Sequence, residues 1–353
     1  EKKYIIAVDS GSTGIRSILY DREGKAVRQE YERTPAEHPE AGATEHDPEI
    51  LWQALLKTTG RLLSGNVRAE EVAGIGITNQ RSSFCIWDKK TGKPLTNFIN
   101  WQDVRAAETI ARMNRNPWWV ILRSVMKVFS RLINSTILIA TSMLVLNTDH
   151  TIGKVRWLLD RDPDLEKKCR SGDAVFGTID TWFIYKLTGG RQHLTDYSNA
   201  ASTAMFNPFD LKWNGIYCSI FKIPMNMLPE VRDTSGSFGE TAEGLFGSSI
   251  PIRAAVGDQQ ASLFGHGCYT PGDVKCSLGS GSFVCVNVGP KGKVSRRGLF
   301  PLVAWVIDGE PTYMLEGQVA TAGTLIDWLG HGLGLSDTPE QLNKLAAECA
   351  DSD

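Results

Sequence analysis

Neither sign of charge is in excess: 38 Lys and Arg face 40 Asp and Glu, leaving a net charge of -2 at neutral pH. That balance removes any electrostatic ground for nucleic acid or an acidic membrane as the main partner. The seven cysteines (Cys85, Cys169, Cys218, Cys268, Cys276, Cys285, Cys349) are scattered, odd in number and never spaced C-x-x-C. The pattern excludes a zinc ribbon and suits a reducing, cytoplasmic compartment. No signal or transit peptide is in view, since a strand pattern begins straight after Glu1-Lys2-Lys3. The charge-free stretch Leu132 to Leu146 has 15 residues, short of the ~20 that a membrane span needs. What remains is a chain of 353 residues, 42% hydrophobic, with enough apolar material for two domains.

The most informative stretch is the first. Tyr4-Ile5-Ile6-Ala7-Val8 is an apolar run with β-branched members and predicts a buried strand; Ile18-Leu19-Tyr20 predicts a second strand returning from a glycine turn. The turn carries Asp9, Ser10, Gly11, Ser12, Thr13, Gly14 and Arg16. A tip this bare lets backbone N-H groups converge on an anion, with hydroxyls and an arginine adding donors and Asp9 placed to hold hydrated Mg²⁺. An ordinary glycine hairpin explains the local residues equally well.

Lys25 to Arg33 predicts a third strand, and Asp47-Pro48-Glu49 a helix start with Asp as N-cap and Pro at the first position. Val72 to Ile77 predicts a short strand ending in Thr78-Asn79-Gln80-Arg81, with Phe84 to Asp88 as its neighbour. Arg115 to Leu146 predicts a helix with a basic face from Arg123, Lys127 and Arg131, followed by the charge-free stretch. Internal packing and peripheral membrane contact through residues 118–146 are both open for it. Thr195 to Ser202 reads as a capping and turn region.

Near Ile250 the composition restarts. Pro251 to Gly257 predicts a strand opening a second domain, Asp258-Gln259-Gln260 precedes a helix over Ala261 to Phe264, and Asp273 to Leu278, Gly279-Ser280-Gly281-Ser282 and Phe283 to Asn287 repeat the strand, glycine turn, strand device. Two such turns, each in its own α/β unit, point to a phosphate chain gripped from both sides of a cleft. Thr312 to Leu315 predicts a further strand, and Ala320 to Leu329 a helix.

These residues resemble the FGGY carbohydrate kinase family, on its glycerol kinase-like branch. The matching stretches are Val8 to Thr13, Glu45-His46-Asp47-Pro48, Gly76 to Arg81, Trp101-Gln102-Asp103, Lys154 to Leu158, Phe176 to Trp182, Leu228 to Arg232 and Gly257 to Gln260, which together span nearly the whole chain. The resemblance implies an α/β fold of the ribonuclease H-like, actin and hexokinase-type ATPase class. Its two domains, residues 1–250 and 251–353, flank a cleft, the second being incomplete because family members continue past the equivalent of Asp353 by roughly a domain's length. It implies ATP and Mg²⁺ as cofactors and a small polyol, glycerol or similar, as acceptor; homo-oligomers are compatible with it. Position by position it makes Asp258 the catalytic base, and Gly11, Ser12, Thr13 and Arg16 the first phosphate loop. Gly279, Ser280 and Gly281 become the second loop, Gly323 and Asp327 lie near the nucleotide, and Asp9 with Asp258 lies near the metal. Arg81, Ser82, Trp101, Gln259 and Phe283, with Asp258, fall at substrate positions.

The departures are specific. Ser82 stands where glycerol kinases of the family have Glu, Asp149 falls at a substrate-contacting Tyr, Asp327 replaces a Gln, and Ser280 stands for a Thr. Two functional readings follow: an ATP-dependent polyol kinase, or a catalytically impaired relative that acts by binding or regulation. In either case Asp9, Ser12, Thr13, Ser280 and Asp258 are expected to share one cleft.

Overall fold

Ile6 and Val8 alternate into the core from the strand Tyr4–Ser10, which lies at the centre of a five-stranded sheet. The structure is a computed structural model that describes residues 2–65, 67–279, 281–319 and 321–349. Across the sheet the order is Ile252–Gly257, Val72–Asn79, Tyr4–Ser10, Gly14–Tyr20 and Ala26–Arg33. The first three strands are parallel and the last two return antiparallel. The three parallel strands therefore bring Gly257, Asn79 and Ser10 to one edge of the layer, where Asp258 and Arg81 follow. Ligands in open α/β sheets bind at this carboxyl edge.

The helix Pro48–Leu62 begins as its residues dictate. The Asp47 side chain accepts from the Glu49 N-H at 2.7 Å, and Pro48 occupies the first turn, where its missing N-H costs nothing. Its buried Leu51, Leu55 and Leu62 cover the sheet, and Ser17 Oγ meets Thr58 Oγ1 at 2.8 Å across that interface. Trp182 extends the same core, its indole N-H donating to the Pro48 carbonyl at 3.2 Å and its ring meeting that of Trp87 edge-on at 5.2 Å between centroids.

A second, antiparallel sheet runs Val274–Leu278, Ser282–Gly289, Glu310–Val319, Phe300–Ile307. It is stitched to the first through Thr234 and Ser235. Thr234 N-H donates to the Val306 carbonyl at 2.8 Å, Ala255 N-H donates to the Thr234 carbonyl at 3.1 Å, and Ser235 bridges both Ala254 and Ile307. A third sheet joins Glu45–His46, Phe98–Ile99, Phe84–Asp88 and Ala174–Thr178.

Several expectations change here. The strand Phe84–Asp88 does not neighbour Val72–Asn79; it pairs with Ala174–Thr178 in the third sheet, because Arg81 and Ser82 carry the chain away from the first layer. The strand Ile252–Gly257 completes the first sheet rather than opening a second unit, so a boundary at residue 250 cuts through that layer. Periodicity at 115–146 conceals a break: Asn116 caps one helix, Pro117–Leu132, which ends at Ile133, and a second, Thr136–Met143, starts after Ser135. The helix after Gly257 starts at Asp258 rather than Ala261 and runs to Gly265. Near the end, the helix covers Gly323–Asp327 and then widens into a looser turn over Trp328–Gly332, while Ala320 lies outside the described residues.

Gly14 starts the second strand where no side chain fits. An added Cβ would lie 2.5 Å from the Glu32 carbonyl oxygen and 2.4 Å from the Tyr31 hydroxyl. A backbone carbonyl cannot step aside as a side chain can. Gly14→Ala is expected to lower unfolding free energy by about 1–3 kcal/mol, read as a reduced urea midpoint with unchanged m-value.

Candidate active site

Asp258 is the first residue of the helix Asp258–Gly265, and buried groups hold that helix start in place. The Gly257 N-H donates to Ser198 Oγ at 2.8 Å, and Ser198 Oγ donates to the fully buried Asp196 at 3.0 Å. Asp196 also caps the short helix Tyr197–Ala201 by accepting from the Ser198 and Asn199 N-H groups, as the capping reading of this stretch expects. It accepts further from Thr234 Oγ1 at 3.0 Å.

The Asp258 side chain keeps 33% of its surface open, and its Oδ1 lies 3.5 Å from Arg81 Nε and 2.7 Å from the Gln259 N-H. Lost hydration raises its pKa and Arg81 opposes the rise. Arg81 turns its other face to the buried Glu316, at 2.9 Å. Burial disfavours the Arg81 charge, but the two carboxylates outweigh it and its pKa rises. Asp9, at the end of the central strand, is raised by lost hydration and then by the nearby charge of Asp258, with Arg16 pulling the other way. Two carboxylates that feel one another, one salt-bridged to an arginine, make a pair able to accept a proton and to bind a hard cation.

The first glycine turn faces this pair, but its donors are partly engaged. The Gly11 N-H donates to the Gly14 carbonyl at 3.0 Å, and Ser12 Oγ donates to Gln80 Oε1 at 3.0 Å. The Thr13 carbonyl accepts from the Thr34 N-H and the Tyr31 hydroxyl, and Arg16 lies 5.8 Å from the Tyr31 ring centroid. In the second turn the Gly279 N-H donates to Gly281 O at 2.9 Å, and the Gly279 carbonyl accepts from the Gly323 N-H at 2.9 Å. The turn and the glycine expected near the nucleotide are therefore adjacent. Ser280 and the side chain of Asp327 lie outside the described residues.

Trp101 spans the space between the turns. Its indole N-H donates to Ser12 Oγ at 3.4 Å, and its ring stands edge-on to Phe283 at 6.3 Å between centroids. Phe283 belongs to the strand that leaves the second turn, so the two devices lie on either side of one aromatic wall. Gln259 is turned aside, its Oε1 accepting from the buried Lys275 at 2.6 Å. Ser82 adopts a left-handed backbone, φ 65°, unusual for a residue with a side chain, and its hydroxyl donates to the Ser202 carbonyl at 3.1 Å. Asp149 accepts from Gln318 Nε2 at 2.8 Å.

Sequence reasoning missed Glu316, Lys275 and Lys154 as parts of the candidate site, and read Gln80 only as one of the polar residues at a strand end. Glu316 carried a signal: a carboxylate inside the apolar strand that includes Tyr313, Met314 and Leu315 is rarely buried without a cationic partner. Lys154 is fully buried and donates to the carbonyls of Asn100 at 2.8 Å and Trp101 at 2.7 Å, fixing the aromatic wall from behind.

A parallel core continued by antiparallel strands, with a glycine turn and two carboxylates at its carboxyl edge, is the architecture of a phosphotransferase of the actin and hexokinase class. Residues 4–265 match the FGGY family of carbohydrate kinases, N-terminal domain, and the chain belongs to that family. A glycerol kinase of Desulfitobacterium hafniense is 40% identical over 353 residues, covering 99% of this chain and 68% of that protein. Glycerol kinase 5 of Gallus gallus is 37% identical over 350 residues, with shares of 99% and 68%. The crystal structure of Plasmodium falciparum glycerol kinase with ADP superposes with a TM-score of 0.85 at 29% identity, covering 99% of this chain and 67% of that one. The chain thus spans about two thirds of the length of these relatives.

Burial lowers the Lys154 pKa to about 8, against 10.5 for a free lysine. Between those values the unfolded chain holds a proton that the folded chain has released, so this group makes unfolding free energy rise with pH. Urea midpoints measured from pH 8 towards pH 10.5 are expected to rise relative to those of Lys154→Met; parallel curves would show that Lys154 titrates normally.

Proposed function

We propose that this protein transfers the γ-phosphoryl group of ATP to a hydroxyl of a polyol, with glycerol as the reference acceptor. The observation that carries the reading is that Asp9 and Asp258 sit at the carboxyl ends of two strands flanking Val72–Asn79, with a glycine turn on each side of Trp101 and Phe283. Asp258 accepts the proton of the acceptor hydroxyl as its oxygen bonds to the γ-phosphorus and the bond to the bridging oxygen of ADP breaks. Positioning and charge neutralisation supply most of the acceleration. Arg81 holds the Asp258 carboxylate in place and Trp101 with Phe283 bounds the acceptor.

Mg²⁺ fits the donor set. Asp9 and Asp258 offer only carboxylate oxygens, and no group of three or more His, Cys, Asp or Glu forms among the described residues. That suits an ion carried on phosphates and keeping much of its water, which would neutralise phosphate charge when bound. The solved relative carries ADP, which supports a nucleotide in the same cleft here.

A second reading, a binding or regulatory relative with impaired catalysis, rests on one observation. The Gly11 N-H and Ser12 hydroxyl, both expected to meet phosphate, already have partners inside the protein. ATP titration by calorimetry and a coupled assay separate the two. Asp258→Asn is expected to lower kcat/KM for the polyol by about 10²–10⁴ with ATP affinity retained. In the parent, kcat/KM is expected to rise with pH as Asp258 deprotonates, above the ordinary carboxylate range. Absence of turnover with intact ATP binding would favour the regulatory reading.

Peripheral membrane contact is part of the same proposal. On the helix Pro117–Leu132 the buried Trp119 faces the core, whereas Trp118, Ile121, Val125, Val128, Phe129 and Leu132 share another arc and are exposed, Trp118 by 70% and Leu132 by 77%. Lys127 and Arg131 flank the arc, and no acidic residue occurs between Glu108 and Asp149. An apolar stripe beside uncompensated positive charge fits an anionic lipid surface. No helix of the described residues is long and apolar enough to cross a membrane. Vesicles containing anionic lipid are expected to sediment the protein and blue-shift Trp118 fluorescence, both lost in Leu132→Glu; equal behaviour with neutral vesicles would remove the electrostatic part.

A further inference from the structure

A cavity of about 400 Å³ opens beside the candidate acceptor site. Its inner end is formed by Arg81, Ser82, Asp149, Glu316 and Gln318, so it reaches the arginine that pairs with Asp258. Beyond that end the lining changes character. Leu144, Val145, Phe206, Phe209, Phe300 and Leu302 form much of the wall, with contributions from three separate parts of the chain. Arg81, Asp149 and Glu316 are the only Asp, Glu, Lys or Arg side chains on it among the described residues. His150 also lines the wall, and burial with the Lys154 charge lowers its pKa to about 4, so it is neutral at physiological pH.

Small acceptors do not need such a space. Glycerol presents hydroxyls on every carbon, and the mostly apolar wall, with Thr141, Asn207, Asn214, Tyr217 and Ser295 as its scattered polar members, is far larger than those hydroxyls need. At the polar end the Ser82 hydroxyl donates to the Ser202 carbonyl and one Asp149 oxygen accepts from Gln318, so Ser82 has no proton left to donate to a polyol. An occupant with hydroxyls at one end and hydrocarbon at the other fits both halves.

We propose that the acceptor is a polyol carrying an apolar substituent, of the alkyl or acyl glycerol class, with its hydroxyls at Arg81 and Asp258 and its chain in this cavity. The inference rests on the polyol kinase reading above. The transfer is unchanged in its chemistry: an unsubstituted hydroxyl oxygen bonds to the γ-phosphorus, its proton passes to Asp258, and ADP leaves with the electrons of the broken bond.

The test is to assay the full chain with ATP against glycerol and a series of 1-O-alkylglycerols of increasing chain length, kept below their micellar concentrations. The ether link removes hydrolysis as a confounding loss. KM is expected to fall by about threefold to fourfold for each methylene buried until the cavity is filled, with kcat little changed. Val145 lines the outer wall and is 54% exposed, so Val145→Trp can narrow the cavity with little risk to folding. This variant is expected to abolish the chain-length gain and leave glycerol kinetics as they were; Ala140→Trp, from the same wall, provides a second variant. Turnover of glycerol with no gain, or a loss, on adding the chain overturns the inference and leaves the kinase reading standing. A gain that survives both tryptophans also overturns it, since the chain would then lie elsewhere. No turnover of any acceptor, with ATP bound, overturns the kinase reading and this inference together.

Discussion

Arg81 is the hinge pin of the site. It follows the strand Val72–Asn79 of the first sheet, yet its guanidinium is buried between Asp258, which follows another strand of that sheet, and Glu316 of the second. A buried cation without partners costs several kcal/mol, and a buried carboxylate costs as much. Each therefore requires the other, and the two sheets hold the register at which all three meet. Losing Glu316 would leave Arg81 with Asp258 alone and draw the base into a stronger pair, whereas losing Arg81 would leave two carboxylates facing one another. The ion pairs serve placement more than stability.

A second buried network fixes Asp258 from the other side. Asp196 collects two backbone N-H groups, the Asn199 amide and two hydroxyls, and through Ser198 it holds the Gly257 N-H. Asp258 then begins its helix with its backbone set before any ligand arrives, and lost hydration keeps its pKa high. In the general-base role proposed for it, such a carboxylate would work nearer to neutral pH than a free aspartate. Trp101 receives similar treatment from Lys154, whose ammonium is directed at two carbonyls and anchors the loop behind the indole.

Two of the departures from the glycerol kinase-like pattern fall together in space. Ser82 and Asp149 both line the cavity beside Arg81, and the irregular segment between Arg115 and Leu146 supplies part of its outer wall. Under the proposal of an apolar-substituted acceptor, these neighbouring changes would act together on what the site accommodates. A site that reads hydroxyls through buried polar groups changes its preference when those groups find other partners.

By itself the sequence determined the local units: the strands at Tyr4–Ser10 and Gly14–Tyr20, the Asp47-Pro48 helix start, the two glycine turns and the carboxylates beside them. Each follows from short-range rules, side-chain alternation, capping and backbone freedom, that need no knowledge of the rest of the chain. The resemblance of motifs such as Gly257-Asp258-Gln259-Gln260 carried the family as well. Tertiary structure alone decided that Ile252–Gly257 completes the first sheet, that Phe84–Asp88 leaves it, and that Arg81 meets Glu316 across 235 positions of chain. It also decided that the Ser12 hydroxyl donates its hydrogen bond to Gln80 and that the apolar residues of three distant segments enclose one cavity. Pairing of strands and burial of charge are set by free energies summed over many distant contacts, and no window of neighbouring residues contains that sum.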